Sequence, residues 1–204
     1  MNNRPKIKKM VEIAIFIAII IVMKITGLSS VPVGPLVMTF TMVPIAIGAM
    51  LLGPVEGAIL GFVYGITSLY DAITGASAMT GFFFQLSPVH TVVLCVVTRT
   101  LVGFLTGLIF KALRKLDKKK IWCYYVGGLL APMLNTIMFM GYIVLFFYKS
   151  EYVQNLVSNL GAANPLMFVI LLVGVQGLIE WATGCFVGGS VAKGVAHALK
   201  MDRD

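Results

Sequence analysis

The most prominent pattern along the chain is a set of four long stretches without a charged residue. They cover 25–55, 72–98, 121–148 and 152–179. A bilayer core about 30 Å thick is crossed by roughly 20 helical residues, because an α-helix rises about 1.5 Å per residue. Each stretch is therefore long enough to cross a membrane at least once. The pattern predicts an all-α integral membrane protein.

Glycines, prolines and charge clusters divide the chain into apolar segments that predict six transmembrane helices. The predicted helices cover about 9–28, 40–52, 55–73, 89–113, 122–148 and 165–198. Two prolines and a glycine within 29–39 favour a loop or a re-entrant cap there, and loops are also predicted over 74–88 and 149–164. We interpret residues 1–204 as a single membrane domain.

The basic residues predict how this domain is oriented. Lys and Arg number 16 against 8 Asp and Glu, and thirteen of the sixteen fall in three clusters, near the N-terminus, within 111–120 and within 193–203. Positive residues accumulate on the cytoplasmic side of membrane proteins. Both termini are therefore predicted to be cytoplasmic, in a multi-pass protein of the bacterial plasma membrane. Because apolar sequence separates the clusters, they do not predict a nucleic-acid partner.

Composition and motifs exclude several functional classes. The chain is 59% hydrophobic and 12% charged, with a mean hydropathy of +0.96, which is too apolar for an ordinary soluble domain. The three cysteines, Cys95, Cys123 and Cys185, are odd in number and widely spaced, so neither a disulfide framework nor a metal site is predicted. Protease, hydrolase and Walker A motifs are absent from the sequence. We expect no enzymatic activity, no cofactor and no metal.

Small residues recur at four-residue spacing in several predicted helices. Such stripes let helix backbones approach closely in a membrane, where lipid supplies no hydrophobic drive for association. They serve either internal packing or docking onto another membrane protein, and the first helix is the best candidate for docking. The stripes are Ala14 and Ala18; Gly57, Gly61 and Gly65; Gly103 and Gly107; and Gly184 and Gly188.

Two ionisable residues, Arg99 and Glu180, lie deep inside predicted helices. A charge at the centre of a transmembrane helix costs about 2.5 to 3.5 kcal/mol on insertion scales, so such residues mark either ion pairs or functional sites. One interpretation is a mutual salt bridge between the fourth and sixth helices. The other is that Arg99 or Glu180 contacts a polar solute.

Uncharged polar residues on the last three predicted helices extend this pattern. Gln176 and Glu180 share one helix face, and Asn135, Phe139 and Tyr142 form a similar stripe on the fifth helix. We predict a pocket there for a neutral or singly charged hydroxylated small molecule, although each amide alone is equally consistent with an interhelical hydrogen bond. The candidate substrate-binding residues are Gln85, His90, Arg99, Asn135, Tyr142, Gln176 and Glu180.

Several of these features together resemble a known family. Six predicted spans, a basic loop between the fourth and fifth, the Ala14-x-x-x-Ala18 spacing and the run MVPIAIGAMLLGPVEGAILGFVYGITSL at 42–69 are similar to the substrate-binding S components of energy-coupling factor vitamin transporters. Within that family, the 42–69 run and the Leu134-Asn135-Thr136-x-x-Phe139-Met140-Gly141 pattern resemble the pantothenate-type branch.

The resemblance implies a function. Such a subunit binds a water-soluble vitamin near the outer face, and it associates through its first helix with a transmembrane coupling subunit driven by two cytosolic ATPases. Ala14 and Ala18 would then dock the coupling subunit, 31–36 would form a lid, Asn135, Gln176 and Glu180 would hold the solute, and Arg99 would pair with a carboxylate.

Other functions stay open on the sequence alone. Pantothenate is the first expectation for the cargo, with riboflavin, pyridoxine and hydroxymethylpyrimidine as alternatives. A stand-alone secondary transporter or channel is the main rival from another class, but the two halves of the sequence show no convincing repeat of the kind common in such proteins.

Overall fold

The structure is a computed structural model that describes residues 4–28, 31–33 and 36–199. Eight helices and one two-stranded hairpin make up this part of the chain. The helices are α1 (Arg4–Ile25), α2 (Met42–Leu52), α3 (Pro54–Thr74), α4 (Ala78–Leu86), α5 (Pro88–Leu116), α6 (Trp122–Phe147), α7 (Glu151–Leu160) and α8 (Pro165–Ala198), and the strands are β1 (Val31–Val33) and β2 (Leu36–Met38).

Within the described residues, four helices are long and apolar enough to cross a membrane. These are α3, α5, α6 and α8, with 21, 29, 26 and 34 residues. Helix α2 is apolar but has only 11 residues, which at about 1.5 Å per residue is shorter than a bilayer core. Helix α1 has 22 residues but carries charges near both of its ends. The protein is therefore a helical membrane protein with four spans identified by length and composition.

The prediction of loops over 74–88 and 149–164 is wrong in part, because each range contains a helix. Helix α4 buries Phe83, whose ring stacks on that of Phe147 with centroids 4.2 Å apart. Helix α7 buries Val153, and its apolar residues recur with helical spacing. Both helices pack aromatic or aliphatic side chains onto the ends of the longer helices, and this tertiary packing stabilises them despite their short length.

A β-hairpin replaces the loop or re-entrant cap predicted after the first helix, and it adds two short strands to an otherwise helical fold. Strands β1 and β2 are antiparallel, with Val31 opposite Met38 and Val33 opposite Leu36. The backbone of β2 lies close to α8. The lid range inferred from the family resemblance, 31–36, includes residues 34–35, which lie outside the described residues.

The glycine stripe of α3 serves internal packing against α5. A methyl group added at Gly57 would lie 2.4 Å from the carbonyl oxygen of Gly103, and one added at Gly61 would lie 2.2 Å from that of Arg99. These approaches leave no room for a side chain. The backbones of α3 and α5 therefore lie in direct contact. At Gly61 this contact is with the backbone of Arg99, whose side chain is buried.

Helix α1 packs on α2 and α3 and leaves its other side uncovered. Phe16 and Ile20 face the core, whereas Ala14 and Ala18 lie on the exposed side. Two ion pairs hold the ends of α1 against α3. Lys9 pairs with Glu56 at 2.6 Å at one end, and Lys24 pairs with Asp71 at the other.

Candidate functional site

A cavity of about 400 Å³ lies between α1, α3, α4, α5, α6 and α8. Its volume falls within the range of about 300 to 1,000 Å³ that is typical of small-molecule sites. The lining contains aromatic and aliphatic side chains together with many polar groups. The polar side chains belong to Lys24, Thr39, Tyr64, Ser68, Asp71, Ser77, Thr80, Arg99, Asn135, Thr136, Gln176 and Glu180.

One face of α3 forms a wall of this cavity. Tyr64, Ser68 and Asp71 all line it, and their spacing of four and three residues places them on the same side of the helix. Since an α-helix rises about 1.5 Å per residue, Asp71 lies roughly 10 Å further along the helix axis than Tyr64. The wall thus runs from Tyr64 inside the bundle to Asp71 at the end that bears the β-hairpin.

Arg99 is buried in the cavity wall with only 6% of its surface exposed. The guanidinium carbon lies 4.8 Å from the ring centre of Tyr64 and 4.9 Å from that of Phe139. Its Nη1 donates two long hydrogen bonds of 3.4 Å to the carbonyl oxygens of Leu94 and Cys95, which belong to a π-helical segment of α5. Two aromatic rings and this backbone segment therefore hold the guanidinium in place.

The charge of Arg99 is not neutralised by an ion pair among the described side chains. Arg99 and Glu180 both line the cavity but make no ion pair with each other among the described side chains, although the Glu180 carboxylate is near enough to interact with the charge of Arg99. The alternative of a mutual salt bridge therefore stays a prediction. In addition, the buried Nε–H of Arg99 has no hydrogen-bond partner in the described part of the chain. A buried charged donor without an acceptor is costly, so this position favours an anionic or strongly accepting ligand.

Oε1 of Glu180 accepts three hydrogen bonds from described residues. Its Oε1 accepts from the backbone N–H of Thr39 at 2.6 Å, from the Thr39 hydroxyl at 3.2 Å and from Nε2 of Gln176 at 3.5 Å. Helix α8 is kinked at Gly174, where φ is 34° and ψ is −129°, two residues before Gln176. The kink interrupts the helix just before the segment that carries Gln176 and Glu180 into the cavity wall.

Two further polar atoms of the cavity are buried without a hydrogen-bond partner among the described residues. They are Oδ1 of Asn135 on α6 and Oγ1 of Thr80 on α4. Buried polar atoms normally have partners, so orphaned atoms that line a cavity indicate positions where a ligand or water completes the hydrogen bonding. Asn135 offers an acceptor and Thr80 offers either a donor or an acceptor.

The structure brings Arg99, Asn135, Gln176 and Glu180 together in this cavity, but not the other three predicted site residues. His90 and Tyr142 lie outside the lining. They form a hydrogen bond with each other, with 2.8 Å between Nδ1 of His90 and the phenol oxygen of Tyr142. Gln85 lines a separate shallow groove beside Phe82 and Tyr152. The structure therefore places Gln85, His90 and Tyr142 outside this cavity, and their assignment to the substrate-binding site stays a prediction.

Several lining residues are absent from the sequence-based prediction. Tyr64 and Phe139 contact Arg99, and Lys24 and Asp71 form an ion pair within the lining. Tyr64 and Asp71 are seven residues apart on α3, and this spacing alone indicates that they share one helix face. The Lys24–Asp71 pair joins residues 47 positions apart, which the sequence alone does not indicate.

The described residues contain no group of three or more His, Cys, Asp or Glu side chains that could hold a metal ion. The site instead combines the Arg99 guanidinium, the Glu180 carboxylate, the Lys24–Asp71 ion pair, amides, hydroxyls and apolar walls. Such a set of groups binds a small polar molecule by charge-assisted and neutral hydrogen bonds, with apolar contacts along its length.

Comparison with known proteins agrees with this picture of a small-molecule site inside a helical membrane protein. Residues 8–187 match the family model for the ECF transporter, substrate-specific component. The chain is also 27% identical over 199 residues to the pantothenate transporter PanT of Leuconostoc mesenteroides subsp. mesenteroides, with 94% of this chain and 93% of that protein covered. The chain belongs to the family of substrate-specific components of energy-coupling factor (ECF) transporters.

Proposed function

We propose that this protein is the substrate-specific subunit of an ATP-driven importer and that it binds pantothenate on the extracellular side of a bacterial plasma membrane. The observation that carries the choice of ligand is Arg99, a buried cation in the cavity wall without an ion-pair partner among the described side chains. A carboxylate ligand supplies the missing anion and an acceptor for the unpartnered Nε–H.

The remaining groups of the cavity match the other parts of pantothenate. The ligand carries an amide, two hydroxyls and a pair of methyl groups in addition to its carboxylate. Asn135 and Glu180 offer acceptors for amide or hydroxyl protons, and Gln176 offers both donors and acceptors. Met140 and Val173 supply apolar contacts for the methyl groups. The relative named as a pantothenate transporter supports the same ligand.

The alternative vitamins fit this charge arrangement less well. Riboflavin, pyridoxine and hydroxymethylpyrimidine lack a carboxylate, so none of them supplies an anion for the buried guanidinium of Arg99, which makes no ion pair with a described side chain. An uncompensated charge in a partly desolvated site costs more than a lost neutral hydrogen bond. This difference favours pantothenate over the three alternatives.

The proposed mechanism assigns energy transduction to other subunits. The sequence contains no Walker A motif, so the protein binds its cargo and relies on two cytosolic ATPases and a transmembrane coupling subunit for the energy of uptake. The exposed side of α1, with Ala14 and Ala18, is the proposed docking surface for the coupling subunit. The protein acts as a binding subunit in this scheme and not as an enzyme. We further propose six transmembrane helices with both termini in the cytoplasm.

The ligand assignment is tested by titration of the detergent-purified protein with pantothenate, riboflavin, pyridoxine and hydroxymethylpyrimidine. Pantothenate is expected to bind at least about 100-fold more tightly than the other three, because only it supplies an anion for Arg99. Mass spectrometry of co-purifying small molecules provides an independent identification. Tighter binding of any of the uncharged vitamins would contradict the proposal.

The transport role is tested separately in reconstituted vesicles. Pantothenate uptake is expected only when the coupling subunit, both ATPases and ATP are present. Uptake by this chain alone under an ion gradient would instead support a stand-alone secondary transporter.

A further inference from the structure

The Lys24–Asp71 ion pair lies in the wall of the same cavity as Arg99 and has no role in the binding scheme described so far. Lys24 is near the C-terminal end of α1 and Asp71 is near the C-terminal end of α3. Their side chains are 26% and 17% exposed, so the pair is partly buried. An ion pair at a cavity wall presents both a donor and an acceptor to whatever occupies the cavity.

This pair and Arg99 lie at two different levels of the cavity. Arg99 contacts Tyr64, and Lys24 contacts Asp71, while Tyr64 and Asp71 share one face of α3. The two levels are therefore separated by about 10 Å along the helix axis, with Ser68 between them. The cavity is charged at both levels: Lys24 pairs with Asp71 at one level, and Arg99 makes no ion pair with a described side chain at the other.

A ligand that places its carboxylate at Arg99 and extends along α3 has the length to reach the ion pair. Three backbone bonds of an extended chain cover about 3.3 to 3.6 Å, so the eight bonds from the carboxylate carbon to the terminal hydroxyl oxygen of pantothenate cover roughly 9 to 10 Å. The end opposite the carboxylate would then lie beside Lys24 and Asp71.

We propose that Lys24 and Asp71 determine specificity at this far end of the ligand: the pair accepts an uncharged hydroxyl and rejects a second anionic group such as a phosphate. This inference rests on the proposed function, because it takes the carboxylate to be bound by Arg99. It adds a selection step, in which the cavity distinguishes a free hydroxylated carboxylic acid from its phosphorylated form.

The selection follows from the charges that face the far end. The Asp71 carboxylate accepts a hydrogen bond from a hydroxyl, and the Lys24 ammonium donates one to the hydroxyl oxygen. A phosphate at the same place meets the negative charge of Asp71, which already neutralises Lys24. The phosphate must therefore displace Asp71 from Lys24 or lie next to a like charge, and either alternative weakens binding.

The test compares two probes, pantothenate and 4′-phosphopantothenate, in the complete detergent-purified chain. For the unaltered protein, the phosphorylated probe is expected to bind at least about 100-fold more weakly than pantothenate. Asp71→Asn leaves the Lys24 ammonium without its ion-pair partner and should reduce this ratio of dissociation constants by about 10-fold or more. Lys24→Gln leaves Asp71 without its partner, so the ratio should stay as high as in the unaltered protein or rise. A lower ratio in Lys24→Gln would contradict the inference.

Glu56→Gln is the matched control. Glu56 lies on the same helix and pairs with Lys9 at the other end of α1, but it does not line the cavity. The ratio of the two affinities should therefore be unchanged in this variant. Because the ratio is taken within each variant, a general loss of stability that weakens both probes equally does not alter it.

The possible outcomes separate this inference from the proposed function. Failure of the unaltered protein to bind pantothenate overturns the proposed ligand and with it the inference. Binding of pantothenate with an unchanged ratio in Asp71→Asn overturns the inference alone. A ratio that falls equally in Glu56→Gln also overturns it, because the effect would then come from the net charge of the protein and not from the cavity.

Discussion

The backbone N–H of Thr39 donates a hydrogen bond of 2.6 Å to Oε1 of Glu180, across 141 residues of sequence. Thr39 follows β2 directly, and Glu180 is a buried residue of the kinked helix α8. Both residues line the cavity. One carboxylate therefore fixes the end of the hairpin to the helix that contributes two of the candidate ligand-binding side chains.

Replacement of Glu180 tests the importance of this connection. In Glu180→Ala the partly buried backbone N–H of Thr39 and amide of Gln176 lose their acceptor, and loss of a hydrogen bond to a charged group costs about 1.5 to 3 kcal/mol at most at such positions. We expect a clearly lower melting temperature and weaker pantothenate binding, with a smaller loss in Glu180→Gln because its amide oxygen still accepts. The measurements are thermal unfolding in detergent and equilibrium titration. Glu151→Ala, at an exposed position, is the control, and an equal loss of stability there would contradict the assignment.

Arg99 is expected to control the affinity for the ligand carboxylate specifically. A hydrogen bond to a charged group contributes about 1.5 to 3 kcal/mol, so Arg99→Gln should weaken pantothenate binding by roughly 10- to 150-fold. Binding of pantothenyl alcohol, which has a hydroxyl in place of the carboxylate, should change much less. Titration of both compounds checks this. An equal loss for the two compounds would mean that Arg99 only supports the cavity wall through Tyr64 and Phe139.

The membrane class and part of the site could be predicted from sequence because both follow from the cost of charge in a bilayer. A long stretch without charges is rare outside a membrane span, and a deep arginine or glutamate requires a partner or a function. Arg99 and Glu180 stand out in the sequence for this reason, and the structure places both in one cavity with Asn135 and Gln176. These features depend on the local sequence and not on how distant segments pair.

The features that were missed depend on contacts between distant parts of the chain. Lys24 and Asp71 each lie near a helix end, and only the packing of α1 on α3 brings them into one ion pair. Helix α4 contains residues that fit a loop equally well, and it is stabilised where Phe83 stacks on Phe147. The sequence of α7 does contain helical spacing of apolar residues, so that helix could have been predicted.

The close contact of α3 and α5 should make Gly61 intolerant of a side chain. In Gly61→Ala the added methyl group would lie 2.2 Å from the carbonyl oxygen of Arg99, so the two helices must separate and Arg99 must shift. We expect lower thermal stability, by about 1 to 3 kcal/mol as for other overpacked sites, together with weaker ligand binding. Gly141→Ala on α6 is the matched control because no atom of the described residues lies within 4 Å of its added methyl group. Normal melting and binding in Gly61→Ala would contradict the packing argument.

Asp117 lies in the loop between α5 and α6, and we expect it to make the stability of the protein depend on pH. Burial raises the pKa of Asp117, but hydrogen bonds from the backbone N–H groups of Cys123, Ile121 and Lys119 together lower it below its ordinary value. The contribution of a carboxyl whose pKa is depressed by folding is present above the unfolded value of about 3.9 and is lost as the pH falls through the folded value.

Asp117→Asn should therefore lower the melting temperature by a constant amount at neutral and mildly acidic pH, and the difference should shrink as the pH falls below about 4. Thermal unfolding at several pH values measures this difference. Glu12→Gln is the control, since Glu12 makes a partly exposed ion pair of 3.8 Å with Lys8 and is expected to contribute little. A difference in melting temperature that grew toward low pH would contradict the assigned direction of the pKa shift.

The exposed alanine face of α1 should matter for transport but not for ligand binding. Ala14 is exposed and is not among the α1 residues that pack on the core, so Ala14→Trp is expected to leave pantothenate affinity in the isolated protein unchanged. In the complete transporter the indole would hold the two helices apart where small residues permit close approach, and ATP-dependent uptake should fall by about 10-fold or more. Ile137→Trp, at an exposed position of α6, is the control and should transport normally. Normal uptake by Ala14→Trp, or an equal loss in both variants, would show that this face of α1 does not form the docking surface.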